Sequence, residues 1–241
     1  HADDRTRAVT VSAIQFFSGH RADLVAIGRF CRERNILFIV DAIQAIGHMA
    51  FDVQAMNIDI LATGGMKSLL ALPGARFIYV RDEVSSKMNP RLIHGNSTTD
   101  YLHWLDYDLT PQPGAARLSS GTTNVPGVLS IGASLTLLNE LGPANIDTHT
   151  TALIHYAIDN LTNEGYEVVT PKDASGPIAT FRSPFDSETT DRLIQFLSDR
   201  QVVVCKHLDA GTSAYVRASV HCYNITADID RLLEELRSFV S

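Results

Sequence analysis

Hydrophobic and polar positions in the first ~140 residues switch repeatedly between strand-like and helix-like periods, the pattern of a mainly parallel α/β sheet. Residues 8–14 read as a strand. Asp23 then stands where a helix cap belongs, ahead of Leu24, Ile27, Phe30 and Cys31 at helical spacing. Residues 36–40 (ILFIV) are an unbroken apolar run, the mark of a strand buried on both faces. Beyond a short connection at 53–56, residues 58–61 and 75–80 read as further strands. The stretch 82–120 is rich in Pro and Gly and long for a connection, which predicts a functional or interface segment; Trp104, with Tyr101, His103 and Tyr107, falls in it. Asn124 and Pro126 open a helix that Gly142-Pro143 stops. A second helix over 146–163 places Leu153, Ile154, Ala157, Ile158 and Leu161 on one side and ends at Gly165.

From there the pattern changes. Strand candidates at 167–170, 178–181, 202–205 and 215–218 surround a helix at 188–197. A last helix follows Thr226 and buries Ile229, Leu232, Leu233, Leu236 and Phe239. The expected organisation is a large α/β domain over 1–145 and a smaller α+β domain over 146–241.

Composition narrows the class without naming a chemistry. Of 241 residues, 45% are hydrophobic and 20% charged, an ordinary globular balance that argues against disorder. A net charge of −7 suits a phosphate backbone poorly, so nucleic acid is not an expected partner. No uncharged run is both long enough and apolar enough for a membrane-spanning helix, since 118–139 is broken by Ser, Thr, Gly, Asn and Pro, so no membrane partner is expected either. Cys31, Cys205 and Cys222 form no CxxC pair and suit a reducing compartment. The chain opens His1-Ala2-Asp3-Asp4-Arg5 with no apolar run; the expectation is no secretory signal and a cytoplasmic location.

Two residues carry the chemistry. Asp41 follows the 36–40 strand directly, at the strand end where open α/β sheets bind ligands; a turn or cap aspartate is the plainer reading of that position alone. Lys67, in Thr63-Gly64-Gly65-Met66-Lys67, is the one charged residue between Asp59 and Arg76. Apolar neighbours would disfavour its charged form, and the neutral amine is the nucleophile that forms Schiff bases. The glycines are expected to let the backbone approach a bound group closely. One strand-crossover-strand unit separates the pair, so both fall at the same edge of neighbouring strands. An acid and an amine there suit pyridoxal 5′-phosphate (PLP), whose aldehyde the lysine holds while the acid keeps its pyridine nitrogen protonated. Arg217, on a strand between Val216 and Ala218, offers a planar fork of donors that matches a carboxylate, or else is a plain surface strand arginine.

Several segments in order carry a likeness: Val40-Asp41-Ala42-Ile43-Gln44, Gly64-Gly65-Met66-Lys67 with Leu70, Pro73-Gly74 and Phe77-Ile78-Tyr79-Val80, Ser120-Gly121-Thr122-Thr123-Asn124, and Val216-Arg217-Ala218-Ser219 before Tyr223-Asn224. The chain resembles the class V fold of PLP-dependent aminotransferases, which includes cysteine desulfurases, selenocysteine lyases and isopenicillin N epimerase-like enzymes. The resemblance implies that Asp41 pairs with the pyridine nitrogen, Gln44 bonds the ring hydroxyl and Lys67 forms the Schiff base. It further implies that Thr122 reaches the phosphate of a partner subunit's cofactor in a homodimer, and that Arg217 clamps the carboxylate of an amino acid substrate. Gln15, before Ser18-Gly19, falls where relatives place a polar group near the cofactor ring. The implied activity is at Cα of an amino acid or amine, with transamination, epimerisation and elimination (transferase or lyase chemistry) all open.

Departures from the family pattern stand beside the likeness. Many relatives carry Ser-Gly-His-Lys at the lysine; here Gly64 and Met66 occupy the Ser and His positions, with Thr63 and Ser68 as the nearby hydroxyls. Persulfide chemistry is disfavoured, because residues 206–215 hold no Cys and Cys205, closing the VVVC run, reads as a small buried residue. In the family an N-terminal portion precedes the point where this chain begins, and supplies a helix N-terminus for the phosphate. The expected fold is therefore an incomplete PLP-transferase type I large-domain sheet with a small C-terminal α+β domain. A catalytically inactive fragment or PLP-fold binding module is the alternative to an enzyme, whereas a nicotinamide-binding Rossmann domain lacks its GxGxxG turn.

Overall fold

The computed structural model describes residues 2–100, 102, 105, 106 and 108–240; Tyr101, His103, Trp104 and Tyr107, expected near an interface, lie outside the described residues. The elements in order are β1 (Ala8–Ser12), α1 (Leu24–Glu33), β2 (Leu37–Asp41), β3 (Ile60–Gly64), β4 (Arg76–Val80), α2 (Asp82–Ser85), α3 (Val125–Leu141), α4 (Pro143–Asn163), β5 (Ile178–Arg182), α5 (Ser187–Asp199), β6 (Cys205–Leu208), β7 (Ala214–Ser219) and α6 (Thr226–Val240). They form two compact units. The first holds residues 1–13, 23–46 and 51–137, and the second holds 14–22, 47–50 and 138–241. No single helix among the described residues is long and apolar enough to cross a membrane.

In the first unit the sheet order is β1-β2-β3-β4. β1, β2 and β3 run parallel and β4 returns antiparallel to β3. Asp23 caps α1 as its sequence position predicts, its Oδ1 accepting from Ala26 N at 2.9 Å. Paired residues share a face, so Leu37, Ile39, Asp41, Ala62 and Ile78 lie on one side and Phe38, Val40 and Leu61 on the other. The second side is fully buried, but Leu37 is 37% and Ile78 43% exposed. The expectation of a strand buried on both faces is corrected accordingly: within this unit, packing covers one face of β2. Asn124 starts α3 by accepting from Gly127 N at 3.1 Å, and Gly142, at φ 85, ends it.

The second unit is an antiparallel sheet, β5-β7-β6. Leu153, Ile154 and Leu161 of α4, Leu193 and Leu197 of α5, and Leu232 and Leu236 of α6 build one core with Phe181 of β5. Two expected strands differ. Residues 167–170 make only a bridge, Val168 to Phe181, because Thr170 Oγ1 takes the Thr180 N–H that a longer ladder would give to a carbonyl. The 202–205 strand is displaced to β6. Gln201 turns left-handed at φ 63 and Val202 N bonds back to Leu197 O at 2.9 Å, so this stretch closes α5 rather than opening a strand.

The segment 14–22 is built into the second unit. Thr180 Oγ1 donates to Phe17 O at 2.6 Å, and Arg21 pairs bidentately with Asp147 of α4 at 2.7 and 2.9 Å. Gly19 is at φ 71, and a Cβ there would stand 2.3 Å from the carbonyl oxygen of Ile178.

Candidate active site

In the first unit the parallel register sets Asp41 beside Ala62, so β2 and β3 end at one edge. Asp41 closes its strand: its Oδ1 accepts from Ile43 N at 3.0 Å, turning the chain, while Oδ2 has no partner among the described residues. The turn after β3 is stapled to this one, since Ser68 Oγ donates to Ile43 O at 3.1 Å and Thr63 Oγ1 to Ala42 O at 3.5 Å. A cleft of about 360 Å³ opens between them, lined by Asp41, Ile43, Thr63, Gly64, Met66 and Arg76 among others.

Lys67 lies three residues past the end of β3, in the turn that borders this cleft. It is exposed rather than held in apolar surroundings, because the apolar residues around it divide. Leu69 is fully buried, whereas Met66, Leu70 and Leu72 are 57%, 44% and 52% exposed and leave the lysine open. Its ammonium has no hydrogen bond or ion pair among the described residues, while Lys172 pairs with Asp159 and Lys206 with Asp191. The two glycines serve the protein's own packing. A Cβ on Gly64 would stand 3.2 Å from Ile43 Cδ1, and one on Gly65 3.1 Å from Ala71 Cβ, so both positions also meet a packing need of the chain itself, and Gly64 lines the cleft. Thr63 and Ser68, the hydroxyls nearest the lysine, are buried with their protons committed to carbonyls. Gln44, half-buried in the turn after Asp41, and Thr122, exposed ahead of α3, have no side-chain partner among the described residues.

The second unit holds Arg217 and Gln15. Arg217 stands in the middle of β7, paired in register with Thr180 of β5 and Cys205 of β6. Its Nη1 donates to Phe16 O at 3.1 Å and its Nη2 to Cys205 Sγ at 3.6 Å, while Nε is buried with no partner. No carboxylate among the described residues pairs with it, in contrast to Arg21 on Asp147 and Arg182 on Glu167. Its charge is held by neutral acceptors, the Phe16 carbonyl and the Cys205 sulfur. Gln15 Oε1 accepts from Phe17 N at 2.6 Å and Ser18 N at 2.8 Å, shaping the loop whose Phe16 carbonyl meets the arginine. Cys205 is exposed, which corrects the buried reading: it begins β6 on the side of Arg217, after Val203 has turned out to 84% exposure.

Two histidines of this unit were not singled out in the sequence. His207 lies against Phe16 and Phe17 at 5.7 and 5.9 Å between ring centroids, and burial, then the Arg217 charge, push its pKa down. His48 is buried, with its ring centroid 4.3 Å from that of His221. Burial first, and His221 second, push its pKa down to about 3. Only the pairing of distant segments brings these rings together, so no local pattern announces them.

A family model described as Aminotransferase class-V matches residues 1–232. A probable cysteine desulfurase of Methanothermobacter thermautotrophicus is 32% identical over 97% of this chain and 60% of its own length. The apo cysteine desulfurase of Thermococcus onnurineus NA1 superposes with a TM-score of 0.86 at 21% identity, covering 97% of this chain and 60% of that one. A C-DES variant with glycine covalently linked to its PLP cofactor gives a TM-score of 0.84 at 20% identity, over 98% of this chain and 61% of the other. The chain thus spans about 60% of the length of the relatives it matches.

Proposed function

The chain belongs to the class-V aminotransferase family, a family of PLP-dependent enzymes, and from that premise we propose that it acts at Cα of an amino acid through Lys67, Asp41 and Arg217. The observation that carries this reading is the pair at the β2 and β3 ends: a carboxylate oxygen and an amine, neither with a partner among the described residues, on two turns tied to each other. That donor set fits PLP. Bound, the cofactor supplies an aldehyde that bonds an amine and a pyridinium ring that draws electrons from the neighbouring Cα.

Each residue then has a task. Lys67 would hold the cofactor through its aldehyde, and its amine would be the group that carries the proton at the substrate Cα. Asp41 Oδ2 accepts from the pyridine N–H and keeps that proton in place by its charge. Gln44 donates to the ring hydroxyl, Gln15 supplies a polar contact near the ring, and Arg217 grips the substrate carboxylate. Thr122 gives its hydroxyl to the phosphate in a partner subunit's site, so the active form is a homodimer. The connection between β6 and β7 carries no cysteine, which favours transamination, epimerisation or β-elimination over persulfide transfer by a loop thiol. Sparse, unpaired thiols favour a cytoplasmic site of action.

The test is spectroscopic. Adding PLP to the purified protein produces a visible absorbance band that Lys67→Ala lacks. Asp41→Asn retains the band but exchanges the Cα proton of L-alanine in heavy water at least ~100-fold more slowly. A wild-type protein that gives no band overturns the reading.

A further inference from the structure

We infer that Cys205 is a positioning residue for Arg217, its thiol sulfur fixing the guanidinium fork in the orientation that receives a substrate carboxylate. The inference rests on the reading of Arg217 as carboxylate clamp and adds the part that aims it.

The backbone alone sets the juxtaposition. Cys205 and Arg217 are register partners in the antiparallel β6–β7 pair, so their side chains leave the sheet on the same face, with Cβ atoms about 5 Å apart. The guanidinium is then held from two directions, by the Phe16 carbonyl on Nη1 and by the Cys205 sulfur on Nη2. An arginine carries about 2 kcal/mol of rotamer entropy, and two anchors set by rigid elements remove much of it before any ligand arrives. Both elements are tied into the unit. β6 is a strand, and the Phe16 loop is fastened by the Thr180–Phe17 hydrogen bond and the Arg21–Asp147 pair.

The choice of sulfur matters. A carboxylate at position 205 would hold the fork more strongly but would neutralise it, and an incoming anion would have to displace it. A thiol is a weak, neutral acceptor that orients the donors and leaves the charge uncompensated. His207, two residues on along β6 and therefore on the same face, extends the same logic. Its pKa is lowered by burial and by Arg217, so near neutral pH it adds no second charge beside the fork. Cys205 remains exposed, so reagents reach it.

The experiment compares wild type, Cys205→Ala, Cys205→Ser and Arg217→Met, each loaded with PLP. Each is titrated with L-alanine and with ethylamine, which lacks the carboxylate, and read by the absorbance change. Cys205→Ala weakens L-alanine about fivefold and leaves ethylamine unchanged, and Cys205→Ser restores most of the loss. Arg217→Met weakens L-alanine roughly 100-fold. A second readout needs no turnover. Iodoacetamide alkylates Cys205, whose thiol proton passes to solvent as the thiolate sulfur bonds the methylene carbon and iodide leaves, and L-alanine slows that labelling in wild type but not in Arg217→Met. If Arg217→Met weakens L-alanine while Cys205→Ala does not, the positioning role is overturned and the clamp stands. If Arg217→Met binds L-alanine as wild type does, the clamp itself fails and the inference with it. An equal loss for both ligands in Cys205→Ala marks a general defect and also overturns it.

Discussion

The two units handle their polar side chains in opposite ways. At the ends of β2 and β3, Asp41 Oδ2, Gln44 and Lys67 have no side-chain partner among the described residues, and the nearby hydroxyls are turned inward to carbonyls. In the second unit Arg217 and Gln15 are already tied into their surroundings, by Phe16 and Cys205 in one case and by Phe17 and Ser18 in the other. The first group is open to an added partner, while the second is already positioned by the chain itself. On the proposed reading, a large cofactor and a small carboxylate call for those two arrangements. A cofactor contributes many contacts of its own, whereas a carboxylate binds well only to a fork that has already lost its freedom.

The largest expected effect comes from breaking the prearranged region. Gly19→Ala puts a Cβ into the Ile178 carbonyl at a left-handed position, so it should cost about 3 kcal/mol or more and release the 14–22 segment. Gly64→Ala in the first unit meets only the Ile43 side chain, Cδ1 at 3.2 Å and Cγ1 at 3.6 Å, whose flexible end can give way, and should cost under about 1 kcal/mol. Urea unfolding of the two variants measures the contrast; equal losses would erase it.

A smaller effect is a pH dependence confined to the second unit. His48 is held neutral, with a folded pKa of about 3 against an ordinary 6.5. Below pH 6.5 the unfolded chain therefore binds a proton that the folded chain refuses. The stabilising contribution is complete above that pH and is lost as pH falls toward 3. Between pH 7 and pH 5 the loss should be about 2 kcal/mol, readable as a drop in urea midpoint, and His48→Asn should abolish that part of it. A His48→Asn protein with the wild-type pH profile would assign the dependence to other groups.

The sequence made the fold legible where local rules decide it. The caps at Asp23 and Asn124, the stop at Gly142, the parallel order of the first strands and the position of Lys67 between two strands all follow from residue patterns. It was illegible where distant segments meet. Nothing local in 14–22 or 47–50 assigns them to the second unit, and an apolar run such as VVVC reads alike whether it fills a core or closes a helix. Of the candidate site, Asp41, Lys67 and Arg217 were the residues that sequence position alone singled out. The Cys205–Arg217 pairing could not, because it depends on the β6–β7 register.

On the proposed reading, Lys67 is the one of four lysines that holds the cofactor. Lys172 and Lys206 are committed to Asp159 and Asp191, and Lys87 is an exposed lysine in the turn after α2. Treating the protein with PLP and then borohydride, followed by peptide mapping, measures which amine bonds the aldehyde. The account predicts a single dominant adduct on the peptide carrying Lys67, absent when Lys67 is replaced by Ala. Adduct spread over Lys87, Lys172 and Lys206 with none favouring Lys67 would contradict it.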